Sequence, residues 1–181
     1  MRRYTVSGSH PKVRQVKNTK LKKDFEMAHI KLDVPLYAQQ KPNSCWHASA
    51  YMIWLYWQNN GKGAGPMNTV TAKYEVADKK GLNPGEFITL AAKVGLYKIP
   101  VKNQHSEEDL AGYLKAGGPV WSAGHWFGFG HIIVLTGIEK GKVLFNDPDK
   151  GVKKEGTVKW FNEKLAGQLQ GCLMVKDPGR F

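Results

Sequence analysis

Hydrophobic spacing changes along the chain, and the change marks out its elements. From Cys45 to Gln58, Trp46, Ala50, Ile53 and Trp57 fall on one helical face. Ala48, Tyr51, Met52 and Leu55 fall on another. A helix apolar nearly all round is a buried central helix. Asn43 and Ser44 offer capping oxygens at its start, and Asn59-Asn60-Gly61 supplies the stop. A Gly/Pro loop over 61–68 separates it from helices predicted at 69–79 and 84–94. In the second of these, Phe87, Leu90, Ala91 and Val94 form an i, i+3, i+4, i+7 stripe. Ser106, followed by Glu107, Glu108 and Asp109, opens another helix, which runs to Ala116. Beyond Gly117-Gly118-Pro119 the pattern turns to strands, at 120–123, 131–138, 142–147 and 169–175. Helices first and antiparallel strands after give an α+β chain with two subdomains.

Residues 1–28 carry no clear apolar period and read as a tail or linker. The folded domain is expected over 29–181, from the alternating Ile30, Leu32 and Val34 onward. Charge sharpens this division. Lys and Arg number 27 against 15 acids, for a net charge of +12. Eight of those bases and no acid lie in the first 23 residues. The rest of the chain is only +4. A basic tail on a balanced domain fits a solvated linker or contact with an acidic partner, nucleic acid or membrane surface. The chain has no 18-residue apolar run and no apolar h-region near its start. Neither a membrane span nor a signal peptide is therefore expected. Cys45 and Cys172 are too few for a disulfide framework, and zinc-ligand spacing is absent. No metal or cofactor is expected.

Chemistry concentrates at Gln39, Cys45, His131 and Asp147. Taken singly, each has a structural reading: a cysteine is often a small buried hydrophobe, and the others serve turns or surfaces. Context shifts the balance. Cys45 stands where a polar loop becomes a hydrophobic helix, and a helix N-terminus favours a thiolate. Gln39, six residues upstream, lies in the loop that folds back beside that start. Its amide could join the Cys45 N–H as an oxyanion hole. His131 opens a strand after the Gly-rich segment 124–130, where it is positioned more rigidly than the loop residue His125. His10, His29 and His105 read as surface residues, and Cys172 as a buried strand thiol. Trp121, Trp126 and Phe127 either line a substrate cleft or pack the core.

The segment from Val34 to Ala48, with its Gln-x5-Cys-Trp spacing, resembles the nucleophile segment of papain-like cysteine proteases. Its Pro-Leu…Gln…Ser-Cys-Trp-x-Ala form is most similar to bacterial effector members, including the plant-pathogen avirulence proteases. Residues 130–138 resemble the His strand of these proteins, and 143–148 their Asp-Pro segment. The double-glycine peptidases of bacteriocin exporters share part of the pattern, but lean to Cys-Gly where this chain has Cys45-Trp46. His47 stands where many effector members have Ala, and Lys41 and Pro42 replace the small residues of plant and lysosomal relatives.

The resemblance implies a papain-like fold, in which a central buried helix carrying the nucleophile packs on an antiparallel sheet. It implies Cys45 as nucleophile, His131 as base and then acid, Asp147 as the group orienting the imidazole, and Gln39 at the oxyanion. It further implies a cysteine endopeptidase of effector or toxin type, delivered by a bacterial secretion system. Such an enzyme would cleave a protein in the reducing cytoplasm of a target cell and travel with a cognate immunity protein. The flanking disulfide cysteines of secreted papains are absent, which fits that compartment. A deamidase or amidase of the same fold is the enzyme alternative. A basic nucleic-acid-binding protein is the non-enzyme alternative, disfavoured by the +4 charge outside the tail.

Hairpin register selects between Asn146 and Asp147. A three-residue loop over 139–141, with Gly141 left-handed, would set Ile133 opposite Asp147 and His131 opposite Asp149. His131 and Asp147 then share a face as diagonal neighbours, roughly 7–8 Å apart at the backbone, and Asn146 faces away.

Overall fold

The computed structural model describes residues 29–62 and 71–180. The basic tail over 1–28, with His10, lies outside the described residues, as does most of the 61–68 loop. The chain runs β1 (Ile30–Lys31), α1 (Cys45–Asn59), α2 (Thr71–Glu75), a 3₁₀ turn (Pro84–Glu86), α3 (Phe87–Val94), β2 (Leu96–Lys98) and α4 (Glu107–Gly117). It continues through β3 (Val120–Gly124), β4 (His131–Glu139), β5 (Lys142–Asp147), β6 (Val152–Thr157), α5 (Val158–Lys164) and β7 (Leu173–Lys176).

The fold is the expected α+β arrangement. All strands join one antiparallel sheet in the order β2-β7-β3-β4-β5-β6, and β1 pairs with the far end of β4. Helix α1 packs on β3 and β4. Its first half is buried through Trp46, Ala48, Ala50, Met52 and Ile53. The second half, from Trp54 to Trp57, is only half-buried, so the helix is less central than its all-round apolarity predicts. Helices and sheet contribute to one continuous core rather than to two subdomain cores.

Several boundaries differ from expectation for local reasons. The helix expected at 69–79 is helical over Thr71–Glu75 and then breaks into turns. The strand expected from Leu169 begins only at Leu173, because Gly171 at φ +78° closes a turn first. Ser44 is the residue before α1, but its hydroxyl accepts from the Lys41 N–H and donates to the Lys41 carbonyl instead of capping the helix. Ser106 does cap α4, in a reciprocal box with Asp109. Sequence periodicity missed β2, β6 and α5. Strand β6 is a polar edge strand with no apolar alternation. Helix α5 is short but does carry a start signal, since the Thr157 hydroxyl accepts from the Trp160 N–H. Among the described residues no helix is long and apolar enough to cross a membrane.

The β4–β5 hairpin departs from the expected turn. Glu139 pairs with Lys142, so the loop has two residues, Lys140 and Gly141, both at positive φ (49° and 80°). That is the backbone a two-residue primed turn requires. It would put Asp147 on the wrong face, but the register shifts by one between Leu135 and Gly137. Below that bulge Leu135 meets Phe145 and Val134 meets Asn146. The face expected for Asp147 is thereby restored.

Candidate active site

The loop before α1 is braced on two sides. The Asn43 N–H donates to the Ala77 carbonyl and its side-chain amide to the Asp78 carbonyl. Lys41 Nζ donates to the Glu75 carbonyl and pairs with Asp78 at 3.2 Å. On the other side the Gln39 N–H donates to the Pro148 carbonyl at 2.8 Å. There Gly151 sits at φ +61°, and a Cβ on it would come within 3.2 Å of Ala38, so glycine permits the close approach. Cys45 therefore begins α1 at a fixed point, half-exposed, with the turn after β5 beside its loop.

His131 and Asp147 meet at the start of β4 and the end of β5. His131 Nε2 lies 2.7 Å from Asp147 Oδ1, and both side chains are almost fully buried. Cys45 lines the same cleft as the imidazole and is its second electrostatic partner. With Nε2 engaged by the carboxylate, Nδ1 is the ring nitrogen left for the thiol. Burial alone would pull the imidazole pKa down, but the interactions with Asp147 and Cys45 outweigh it and hold it up at about 9. Burial pushes the Asp147 carboxyl up. The bonds from His131, Lys154 and the Asp149 N–H prevail, and its pKa is lowered. The Asp149 N–H donates to Oδ1 at 2.9 Å, and Lys154 Nζ meets Oδ2 at 2.7 Å. Asn146 points to the other face, where its Nδ2 donates to the Val34 carbonyl at 3.1 Å beside Met52.

Cys45 and His131 border a cleft of about 170 Å³, which includes Leu82, Phe87, Gly124 and Leu169. Its walls are chiefly apolar, so a substrate segment entering it sheds water. Trp121 and Trp126 do not line the cleft. Trp121 is fully buried, donates from Nε1 to the Trp46 carbonyl and packs edge-on against Phe87. Trp126 is buried against Trp160 and Phe161. Both are core residues. The exposed aromatics beside His131 are Phe127 and Phe129, with ring centroids 6.0 Å and 5.7 Å from the imidazole.

Gln39 does not present its amide N–H to the cleft. Nε2 donates to the carbonyls of Lys41 and Pro42, while Oε1 is buried with no hydrogen-bond partner among the described residues. His125 is exposed at the cleft rim and lacks the strand support of His131. His29 is exposed, but His105 is buried against expectation. Its ring contacts the Tyr113 hydroxyl, and its backbone is clasped by Asn162. Cys172 is buried, and that burial pushes its thiol pKa up. Sequence reasoning missed Lys154, because the strand that aims it at Asp147 had no apolar signal. It also read Phe87, one wall of the cleft, only as part of a core stripe.

Comparison with known proteins bears on the fold and the family. The crystal structure of a double glycine motif protease from an AMS/PCAT transporter, in complex with the leader peptide, is similar with a TM-score of 0.53. Identity is 20%, over 81% of this chain and 91% of that one, so the likeness concerns the fold. No curated protein matches the sequence. The family model described as papain-like cysteine protease AvrRpt2 matches residues 28–166, which include the helix with Cys45 and the strands with His131 and Asp147. The chain therefore belongs to the papain-like cysteine protease AvrRpt2 family, and it is a hydrolase of that kind.

Proposed function

We propose that this protease is an endopeptidase working through Cys45, His131 and Asp147. The observation that carries the reading is the 2.7 Å contact of His131 with a buried Asp147, with Cys45 and His131 lining the same apolar cleft. His131 takes the Cys45 proton, and the thiolate attacks the scissile carbonyl. The imidazolium then returns a proton to the leaving amine, and water hydrolyses the acyl-enzyme with His131 as base. Asp147 fixes the ring and stabilises its charged form.

The oxyanion receives the Cys45 N–H, a first-turn amide with no intrahelical acceptor. It receives Gln39 Nε2 once that amide turns away from the carbonyls of Lys41 and Pro42. The turn is inexpensive. The present orientation leaves Oε1 buried and unpaired among the described residues, a cost of about 1–3 kcal/mol. The bond to the Pro42 carbonyl is exposed, so water can replace it.

The substrate is a protein of a target cell, and the chain is a bacterial effector or toxin domain delivered by a secretion system. A cognate immunity protein would cover the cleft. Catalysis belongs to residues 29–181, with the basic tail over 1–28 dispensable. The effector-type family match and the charge asymmetry support this reading. The test compares protein termini in cells expressing the wild type or Cys45→Ala. New internal termini are expected with the wild type alone. The same termini with Cys45→Ala would refute the mechanism, and glutamine deamidation without new termini would replace peptidase by deamidase.

A further inference from the structure

Asp147 is held by more than the histidine it faces. Lys154 stands opposite Phe145 on β5, two residues from Asp147, which itself pairs with Val152. Side chains alternate along strands, so Lys154 and Asp147 share a face as diagonal neighbours. The lysine ammonium lies 2.7 Å from Oδ2, while His131 occupies Oδ1. It also sits over the Phe127 ring, 4.3 Å from its centroid, which removes water from one side of the charge. The carboxylate itself is fully buried. Among the described residues, the titratable groups meeting the His131–Asp147 pair are Lys154 from β6 and Cys45 from α1.

We propose that Lys154 is a positioning residue that acts through Asp147, dividing one buried carboxylate between two cations so that His131 keeps a proton it can still release. This rests on the triad reading above. Orientation of the carboxylate does not depend on the lysine, because the Asp149 N–H holds Oδ1 in place. The contribution of Lys154 is therefore charge. Without it the full carboxylate would serve His131, and the imidazolium would hold its proton more tightly. A tighter imidazolium is a weaker acid toward the leaving amine.

The test needs no substrate. Alkylation of Cys45 by iodoacetate, an anion favoured by a neighbouring imidazolium, closes on the alkaline side as His131 loses its proton. The rate is followed against pH in the full chain, with the labelled site mapped by mass spectrometry. Lys154→Met, and Lys154→Gln as a second neutral variant, should raise the alkaline limb by about 0.5–1 pH unit, the range open to a partly exposed charge. Lys154→Arg should restore the wild-type limb. In an Asp147→Asn background, Lys154→Met should no longer raise it. An unmoved or lowered limb in the folded neutral variants overturns the proposal, because loss of a merely structural contact slows the reaction without strengthening the imidazolium. Asp147→Asn separates the two readings. If it leaves rate and profile at wild-type values, the triad fails and the Lys154 role with it. If it alters them while the Lys154 variants do not, the Lys154 role fails alone.

Discussion

Replacing Asp147 by Asn tests the site more sharply than replacing it by Ala. The change is isosteric, so packing is kept and only charge and hydrogen-bond polarity are altered. Three donors converge on the carboxylate: His131 Nε2 and the Asp149 N–H on Oδ1, and Lys154 Nζ on Oδ2. An asparagine amide has one acceptor and one donor end. With its oxygen toward His131, its NH₂ faces the Lys154 ammonium. With the amide turned, its NH₂ faces the histidine and the Asp149 N–H. Either way a donor meets a donor, and the lysine or the imidazole must move. Loss of the orienting carboxylate in a triad costs up to about 10⁴-fold in turnover. We expect Asp147→Asn to lower turnover by about 10²–10⁴-fold. Stability should fall by only about 1–3 kcal/mol, because the half-exposed Lys154 can turn to solvent and His131 can become neutral. The Asp147 carboxyl is held below its ordinary range, so its stabilising contribution is present above the unfolded-state value near pH 4 and is lost as pH falls through the folded value. The same contact holds His131 up at about 9. Its contribution is full below the unfolded-state value near pH 6.5 and is lost as pH rises through the folded value. The stability gap between wild type and variant should therefore be widest at about pH 5–6.5 and narrow both in acid and toward pH 9. Asn146→Ala should show the converse pattern. Its amide serves the Val34 carbonyl on the opposite face, so about 1–3 kcal/mol of stability is lost while turnover changes only a few-fold. Urea midpoints and turnover of the purified variants measure both quantities. A larger loss of turnover from Asn146→Ala than from Asp147→Asn, at equal folded fraction, would refute the reasoning.

In the wild type, His131 keeps its proton to about pH 9, so the alkaline limb of Cys45 alkylation by iodoacetate should fall there. A limb near pH 6.5 would mean the pair is not formed in solution. Gln39→Ala should cost about 2.7–4 kcal/mol of transition-state stabilisation, chiefly in turnover, whereas Gln40→Ala should cost little; equal losses would remove Gln39 from the oxyanion site. Burial keeps the Cys172 thiol protonated, so iodoacetamide should label Cys45 in the folded protein and spare Cys172, and Cys172→Ser should retain substantial activity. Labelling of both thiols at similar rates in native protein would contradict the burial.

Much of the site was legible because its residues mark transitions in the pattern. Cys45 starts an apolar helix and His131 starts an apolar strand, and both starts fall where expected. Residues whose place depends on long-range packing were not legible. Trp121 and Trp126 flank a Gly-rich segment next to His131, and large aromatics there suit a cleft or a core equally well. Only the positions of Phe87, Trp160 and Phe161 decide for the core. Gln39 has the right spacing, yet its amide conformation follows from the carbonyls of Lys41 and Pro42, which no spacing rule reveals. His105 sits among polar neighbours in sequence but is buried by Asn162, 57 positions away. Lys154 belongs to an edge strand whose polar residues read as loop, and its meaning appears only when β6 pairs with β5.

The β4–β5 hairpin shows how an expected face can survive an unexpected turn. Lys-Gly is not among the dipeptides that favour a primed turn, since lysine gains nothing at positive φ. A three-residue loop was the natural reading of Glu139-Lys140-Gly141. The two-residue turn shifts the register by one, which on its own would flip every residue of β5 to the other face. The bulge at Thr136 adds one residue to β4 and cancels the shift before the strand reaches His131. On the opposite edge of β4 from β5, the Thr136 carbonyl accepts from the Leu32 N–H at 2.8 Å, which continues the β1–β4 pairing past the bulge. The same point is where β1 joins the sheet, with Lys31 opposite Gly137. A Cβ on Gly137 would come within 2.6 Å of the Ile30 carbonyl, so β1 can approach only because residue 137 is glycine. Strand β1 thus supports the bulge, and the bulge keeps Asp147 on the His131 face. The two residues of β1 lie far from the cleft in sequence but hold the register on which the His131–Asp147 contact depends.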